Sequence, residues 1–181
     1  MSRWMMRVLV LVVGAMLLAA CGEGDPGAIG PSGVDGGLSP EGARQEYVDG
    51  VIGALAQLSQ ATQGPAYAKS VDTGNKQQLQ VAALAWQQGG QQLKQLSPPK
   101  AAVKGHKALV AAVDSLNVWN QKVVAAAPNK KRTQQVATTA ANSPASQNFG
   151  AAICMLVQAG YDVVDPGECG SPLDSASSPV G

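Results

Sequence analysis

His106, three cysteines (Cys21, Cys154 and Cys169) and 12 carboxylates are the side chains of this 181-residue chain that could support acid–base, nucleophilic or metal chemistry. A serine–histidine triad would have to use His106, the single histidine, and no Gly-x-Ser-x-Gly turn precedes or follows it. Its neighbours at helical spacing are Val103 and Val110. The expected role is therefore a hydrogen-bonded histidine at the edge of a core, with general base as the competing role. One histidine without clustered carboxylates makes no ligand set, so neither a metal nor another cofactor is expected. Glu41, Glu46 and Asp49 share a helical face, which a solvated first turn explains more simply than a glycosidase pair. Asp162, Asp165 and Glu168 surround Pro166-Gly167 in a loop, too sparse an oxygen set for calcium. No Gly-rich stretch is followed by Lys-Ser or Lys-Thr, so the sequence contains no phosphate cradle.

The elements that must carry these residues are helical. Hydrophobic residues make up 45% of the chain but aromatics only 4%, so Ala, Val and Leu have to fill the core, which favours closely packed helices. Ser39-Pro40-Glu41 opens a first helix: Ser caps it, Pro suits its first position and Glu its positive end. Tyr47, Val48, Val51, Ile52, Leu55 and Leu58 follow as an apolar stripe until Gly64-Pro65. The stretch to Gly74 is ambiguous; a long connection over which Tyr67 and Val71 pack is one reading. In a second helix Leu79, Ala82, Trp86, Gly89, Leu93 and Leu96 step by three and four, the spacing of an interhelical seam. Eight of the 19 residues 77–95 are Gln, mostly off that seam. Gly89-Gly90 either admits a neighbouring helix or bends this one.

Ser97-Pro98-Pro99 separates a third helix, whose expected buried line is Val103, His106, Val110, Val113, Asn117 and Asn120, widened by Leu109, Leu116 and Val123. Pro128 ends it. Residues 130–141 are polar, and Ser143-Pro144 begins a last helix with Phe149, Ala152, Ile153, Leu156 and Val157 on its apolar face, ending near Gly160. The expected fold is all-α, an antiparallel four-helix bundle. Three helices plus a short, disulfide-pinned fourth is the alternative.

At the amino end, Arg3 and Arg7 precede an apolar run over residues 8–18, and Leu18-Ala19-Ala20-Cys21 follows. The run is too short for a spanning helix, which needs about 20 apolar residues, and has the order of a secretory signal. Its ending resembles the lipobox of bacterial lipoproteins. That resemblance covers residues 1–21 and implies cleavage after Ala20, diacylglycerol on the Cys21 sulfur and a lipid anchor in the cell membrane or outer membrane. Residues 1–20 are then signal peptide and 21–38 a tether. Glycine recurs there at 24, 27, 30, 33 and 36, a collagen-like period too short for a triple helix. As a flexible coil it holds the helical domain, residues 39–170, roughly 25 Å from the lipid. Residues 171–181 read as a disordered tail. With Cys21 lipidated outside the cytoplasm, Cys154 and Cys169 are the remaining pair, and a bridge between them is expected.

A net charge of +1 excludes the strongly basic balance of nucleic-acid binders. Loss of Arg3 and Arg7 with the signal leaves 11 basic side chains against 12 acidic. Eight basic residues nevertheless fall between Lys94 and Arg132, against one acid, Asp114. Lys100, Lys104 and Lys107 share one side of the third helix, and Lys130-Lys131-Arg132 lie past its end. They are candidates for contact with an anionic envelope polymer or a lipid headgroup; a solvated face is the competing reading. Trp86 belongs to the seam, whereas Trp119 lies off the strongest line and is the candidate for a cleft or partner surface. The expected function is non-catalytic: a membrane-tethered module that binds an envelope component or a protein partner. A small-ligand carrier using His106, Trp119 and Asn120 is the alternative, weakened by the roughly 21 Å between His106 and Asn120 along one helix. A hydrolase-type enzyme is a distant third.

Overall fold

The computed structural model describes residues 39–169; the expected export signal with Cys21, the expected tether and the expected tail lie outside the described residues. Six α-helices and no strand occur among them: α1 (Pro40–Gln63), α2 (Pro65–Thr73), α3 (Lys76–Gln95), α4 (Val103–Ala126), α5 (Lys130–Ala141) and α6 (Pro144–Gln158). The four long helices α1, α3, α4 and α6 form an antiparallel bundle, and α2 and α5 are short helices in its connections. No helix among the described residues is long and apolar enough to cross a membrane.

Local chemistry starts the helices. The Ser39 hydroxyl accepts from the Gly42 N–H at 3.1 Å with Pro40 in the first turn, and Asn75, Asn129 and Ser143 cap α3, α5 and α6 in the same way. Each cap satisfies an amide that has no acceptor inside its own helix. The stretch after Gly64 is a helix rather than an open connection. It stops at Gly74, whose φ of 69° lies in the left-handed region and where a Cβ would stand 2.8 Å from the Pro128 carbonyl oxygen.

Between the long helices, glycine sets the spacing. On α3, Gly89 faces α1, where an added Cβ would meet Leu58 Cδ2 at 2.9 Å and the Ala54 carbonyl at 3.3 Å. Gly90 faces α4, with Val113 Cγ1 at 3.1 Å. The pair therefore admits two neighbours at once, and α3 runs unbroken through it. Gly105 does the same for α4 and α6, lying 2.8 Å from Leu156 Cδ2 and 3.2 Å from the Leu156 amide nitrogen in the same construction. Around these contacts lies the main core, which includes Val51, Leu58, Leu93, Leu109, Val113 and Leu156. Full burial of each such side chain contributes roughly 1.5–3 kcal/mol.

A second, smaller core of Leu79, Val123 and Ala127 sits at the far end of α3 and α4. Tyr67 and Val71 of α2 and Val136 of α5 cover it, and Gln134 donates to Asp72 at 3.0 Å across the two short helices. The buried line of α4 overlaps the expected one only in part: His106, Leu109, Val113 and Val123 are buried as expected, Gly105, Ala112 and Ala126 join them, and Val103, Val110, Leu116, Asn117 and Asn120 are half-buried. Helix α4 packs on α3, α5 and α6 together, so its buried face is broader than one seam and is centred by those neighbours. After α6 the chain turns at Gly160, buries Tyr161 and Val163, and is closed by the Cys154–Cys169 disulfide, with the two Cα atoms 5.3 Å apart. A bridge across 15 positions stabilises by about 3 kcal/mol in the chain-entropy treatment.

Substitution at two glycines separates close approach from helix propensity. Gly105→Val is expected to lower the unfolding free energy by at least about 2 kcal/mol through overpacking against Leu156. Gly53→Ala, with nothing within 4 Å of the added carbon, should raise it by about 0.5–1 kcal/mol. Urea denaturation of both variants measures the difference.

Candidate functional site

His106 is buried, and its Nδ1 lies 3.2 Å from the Tyr47 hydroxyl on α1. Tyr47 packs edge-on against Tyr161, with ring centroids 5.5 Å apart. Above Tyr161 lies the Arg44 guanidinium, 5.4 Å from the ring centroid, which also donates to the Gly160 carbonyl. Burial lowers the pKa of His106 from its ordinary value. Burial, and then the neighbouring Tyr161, push the Tyr47 hydroxyl up to about 12. Near neutral pH the phenol is thus protonated and the imidazole neutral, and the two share one hydrogen bond whose donor is set by the imidazole tautomer. This contact joins α4 to α1.

The carboxylates stay apart. Glu41, Glu46 and Asp49 are exposed on the first turns of α1, where Gln45 donates to Asp49 at 2.8 Å. Asp162 and Asp165 are exposed in the final segment, and Asp165 accepts from the Gly167 N–H at 2.9 Å, an ordinary local turn. Among the described residues no three His, Cys, Asp or Glu side chains stand close enough to hold a metal ion.

Lys100, Lys104 and Lys107 are all exposed, as the spacing requires. Because Tyr47 meets His106, and Gly50 meets Leu96, these lysines occupy the end of the bundle where α1 begins. Lys130, Lys131 and Arg132 are exposed beyond the other end of α4. With some 1.5 Å of rise per residue, the helix holds the two groups roughly 30 Å apart, and they do not form one patch.

Trp86 is buried; its indole N–H donates to the Val113 carbonyl at 3.2 Å, and its ring packs near Phe149. Trp119 is half-buried, with Lys122 Nζ 4.2 Å from its ring centroid. The structure does not gather His106, Trp119 and Asn120: they lie along one unbroken helix, and none of the three lines a groove described below.

A concavity lies elsewhere, on the outer face of the α3–α4 pair. A hollow of about 650 Å³ there is lined by Gln87, Gln91 and neighbouring glutamines of α3 together with Leu84, with Asn117 and Val113 of α4 on one side and Gln57 of α1 on the other. A second, of about 630 Å³, continues towards Gln80 and Gln121. Leu84 and Gln87 line both, so the two adjoin along the groove between α3 and α4; the second is the more apolar, with Ala83, Val124 and Ala125 in its wall. Leu84 is 58% exposed within the groove. At one end Lys94 and Asp114 pair at 2.8 Å. Asn117 Oδ1 is buried without a hydrogen-bond partner among the described residues, a situation that costs roughly 1–3 kcal/mol.

Sequence reasoning did not find this groove. Its signal was present in the glutamines off the seam of α3, but nothing local tells which α4 residues face them. No protein-family model matches the chain, and neither a curated protein nor a solved structure is detectably similar to it.

The His106–Tyr47 contact has a pH signature. A histidine whose folded pKa lies below its unfolded value of about 6.5 takes up protons preferentially in the unfolded chain. Its contribution is therefore full above about pH 6.5 and is lost as pH falls from there through the lowered folded value. His106→Asn should remove this component, so its stability difference from wild type is expected to shrink as pH falls through that window. Paired denaturation curves across the window test it; a pH-independent difference would reject the assignment.

Proposed function

We propose that the chain is a lipid-anchored, non-catalytic binding module of the cell envelope, whose contact surface is the α3–α4 groove. The observation that carries this reading is the concavity itself: a solvent-open hollow on the α3–α4 pair lined largely by uncharged amides such as Gln87, Gln91 and Asn117, adjoined past Leu84 by a more apolar one. Two further features support it. The amino-terminal Leu-Ala-Ala-Cys sequence supplies an anchor, with lipid on Cys21. His106 and Trp86, the side chains best suited to chemistry or stacking, are engaged in holding helices together. Lys100, Lys104 and Lys107, at the end where α1 begins, supply a weaker attraction towards anionic material, screened by salt beyond about 10 Å at moderate ionic strength.

Cys21→Ser should move the exported protein from the membrane fraction to the soluble one; unchanged fractionation would remove the lipid anchor from the reading. In that soluble background, sedimentation with purified envelope material measures the contact. Filling the groove by Gln87→Trp with Gln91→Trp should abolish co-sedimentation. Reversal of Lys100, Lys104 and Lys107 to Glu should weaken it modestly, at low salt only. Loss on lysine reversal with no effect of groove filling would place the contact on the lysine row instead.

A further inference from the structure

Resting on the reading of the groove as the contact surface, we propose that its ligand is an uncharged, hydroxyl-rich glycan strand. The lining decides the class by charge first. Lys94 and Asp114 neutralise each other at 2.8 Å, and Lys76 stands at the far end, so the central stretch carries no net charge. A phosphate, a carboxylate or an acidic polymer finds no cationic cluster there. What the stretch offers is amides, each with two donors and an acceptor, beside an apolar wall of Ala83, Leu84, Val124 and Ala125. A sugar hydroxyl both donates and accepts, so an amide can meet it in either sense.

Spacing points the same way. Gln80, Leu84, Gln87 and Gln91 follow one another at three or four residues along α3, and Asn117 and Gln121 form a facing row on α4. Each step rises about one turn, 5.4 Å, which is comparable with one sugar ring in an extended strand. From Gln80 to Gln91 the row spans about 16 Å, the length of about three sugars. Leu84, between the amides, presents apolar surface to the C–H face of a ring. Asn117 adds an unpaired carbonyl in the wall. Its terminal torsion is broad, so the amide can turn towards a ligand without disturbing α4.

Peptide binding would use other devices: a sheet edge, a run of apolar anchors, an exposed aromatic floor or an arginine cluster. The described residues contain no strand, and Leu84 is the one exposed large apolar side chain in the groove. Trp86 lines the groove but is buried, with its indole N–H held by Val113.

The test titrates full-length protein in detergent micelles with cellohexaose, chitohexaose and maltohexaose, following side-chain amide resonances by NMR. At least one of these should shift Gln87, Gln91 and Asn117 saturably, with an affinity unchanged between low and high salt, as befits an uncharged ligand. Gln87→Ala with Gln91→Ala should weaken it about tenfold, the net worth of one or two neutral hydrogen bonds. Unchanged helical content by circular dichroism keeps that loss attributable to the groove. The proposal is overturned if no glycan moves these resonances, if an unstructured Ala- and Ser-rich peptide moves them instead, or if the double variant binds equally well. Envelope co-sedimentation then separates the two levels. If it still depends on Gln87 and Gln91, the binding module stands and only the ligand class falls; if it does not, both fall.

Discussion

Leucine lying on glycine is the contact on which the rest of this bundle depends. Leu58 rests on Gly89 and Leu156 on Gly105, and Val113 meets Gly90 in the same manner. A chain with so few aromatic residues cannot fill wide gaps between helices, so the helices themselves must come close. Glycine removes the one atom that would hold the backbones apart. Alanines such as Ala54, Ala112 and Ala152 then line interfaces too narrow for larger side chains. Glycine weakens a helix by about 1 kcal/mol relative to alanine, and the leucine burial it permits outweighs that.

Close approach also explains where the larger groups went. Tyr47, His106 and Tyr161 meet at the end where α1 begins, and Trp86 with Phe149 fills the space beside the Gly90–Val113 contact. The tyrosine–histidine pair satisfies two polar groups that burial would otherwise penalise. Arg44 and the Cys154–Cys169 bridge hold the final segment over the same end. Burial here favours the neutral form of both titratable rings, so the cluster works as a fastening between α1, α4 and the last turn of chain.

Helix α3 has two jobs because it has two faces. Leu79, Trp86, Gly89, Gly90 and Leu93 go inward, which turns a row of glutamines outward beside α4. An amide row costs little when solvated and can exchange its water for a ligand's polar groups. Since the helices on either side of the groove are held by the glycine contacts beneath it, the spacing of the amides is set before anything binds, which lowers the ordering cost of binding.

Local patterns in the sequence were enough for the helix caps at Ser39 and Ser143, the seam of α3, the stripe of α1 and the all-α class, because helix periodicity and capping act over three or four residues. The structure decided the Cys154–Cys169 bridge by bringing the two residues together; the sequence raised it as an expectation. It left open whether Gly89-Gly90 bends α3 or admits a neighbour, and tertiary packing decided for two neighbours. It placed the buried line of α4 only in part, with His106, Leu109, Val113 and Val123 but without Ala112 and Ala126, since apolar residues lie on several sides of that helix and only the positions of α3, α5 and α6 choose among them. The stretch after Gly64 and the polar residues 130–141 became the helices α2 and α5 because each found a cover in the other and in Leu79 and Val123. The groove belongs wholly to tertiary structure. That Gln87 and Gln91 point outward follows from the helical period, but that Asn117 and Gln121 stand opposite depends on the register between two helices, and contacts distant in sequence set that register.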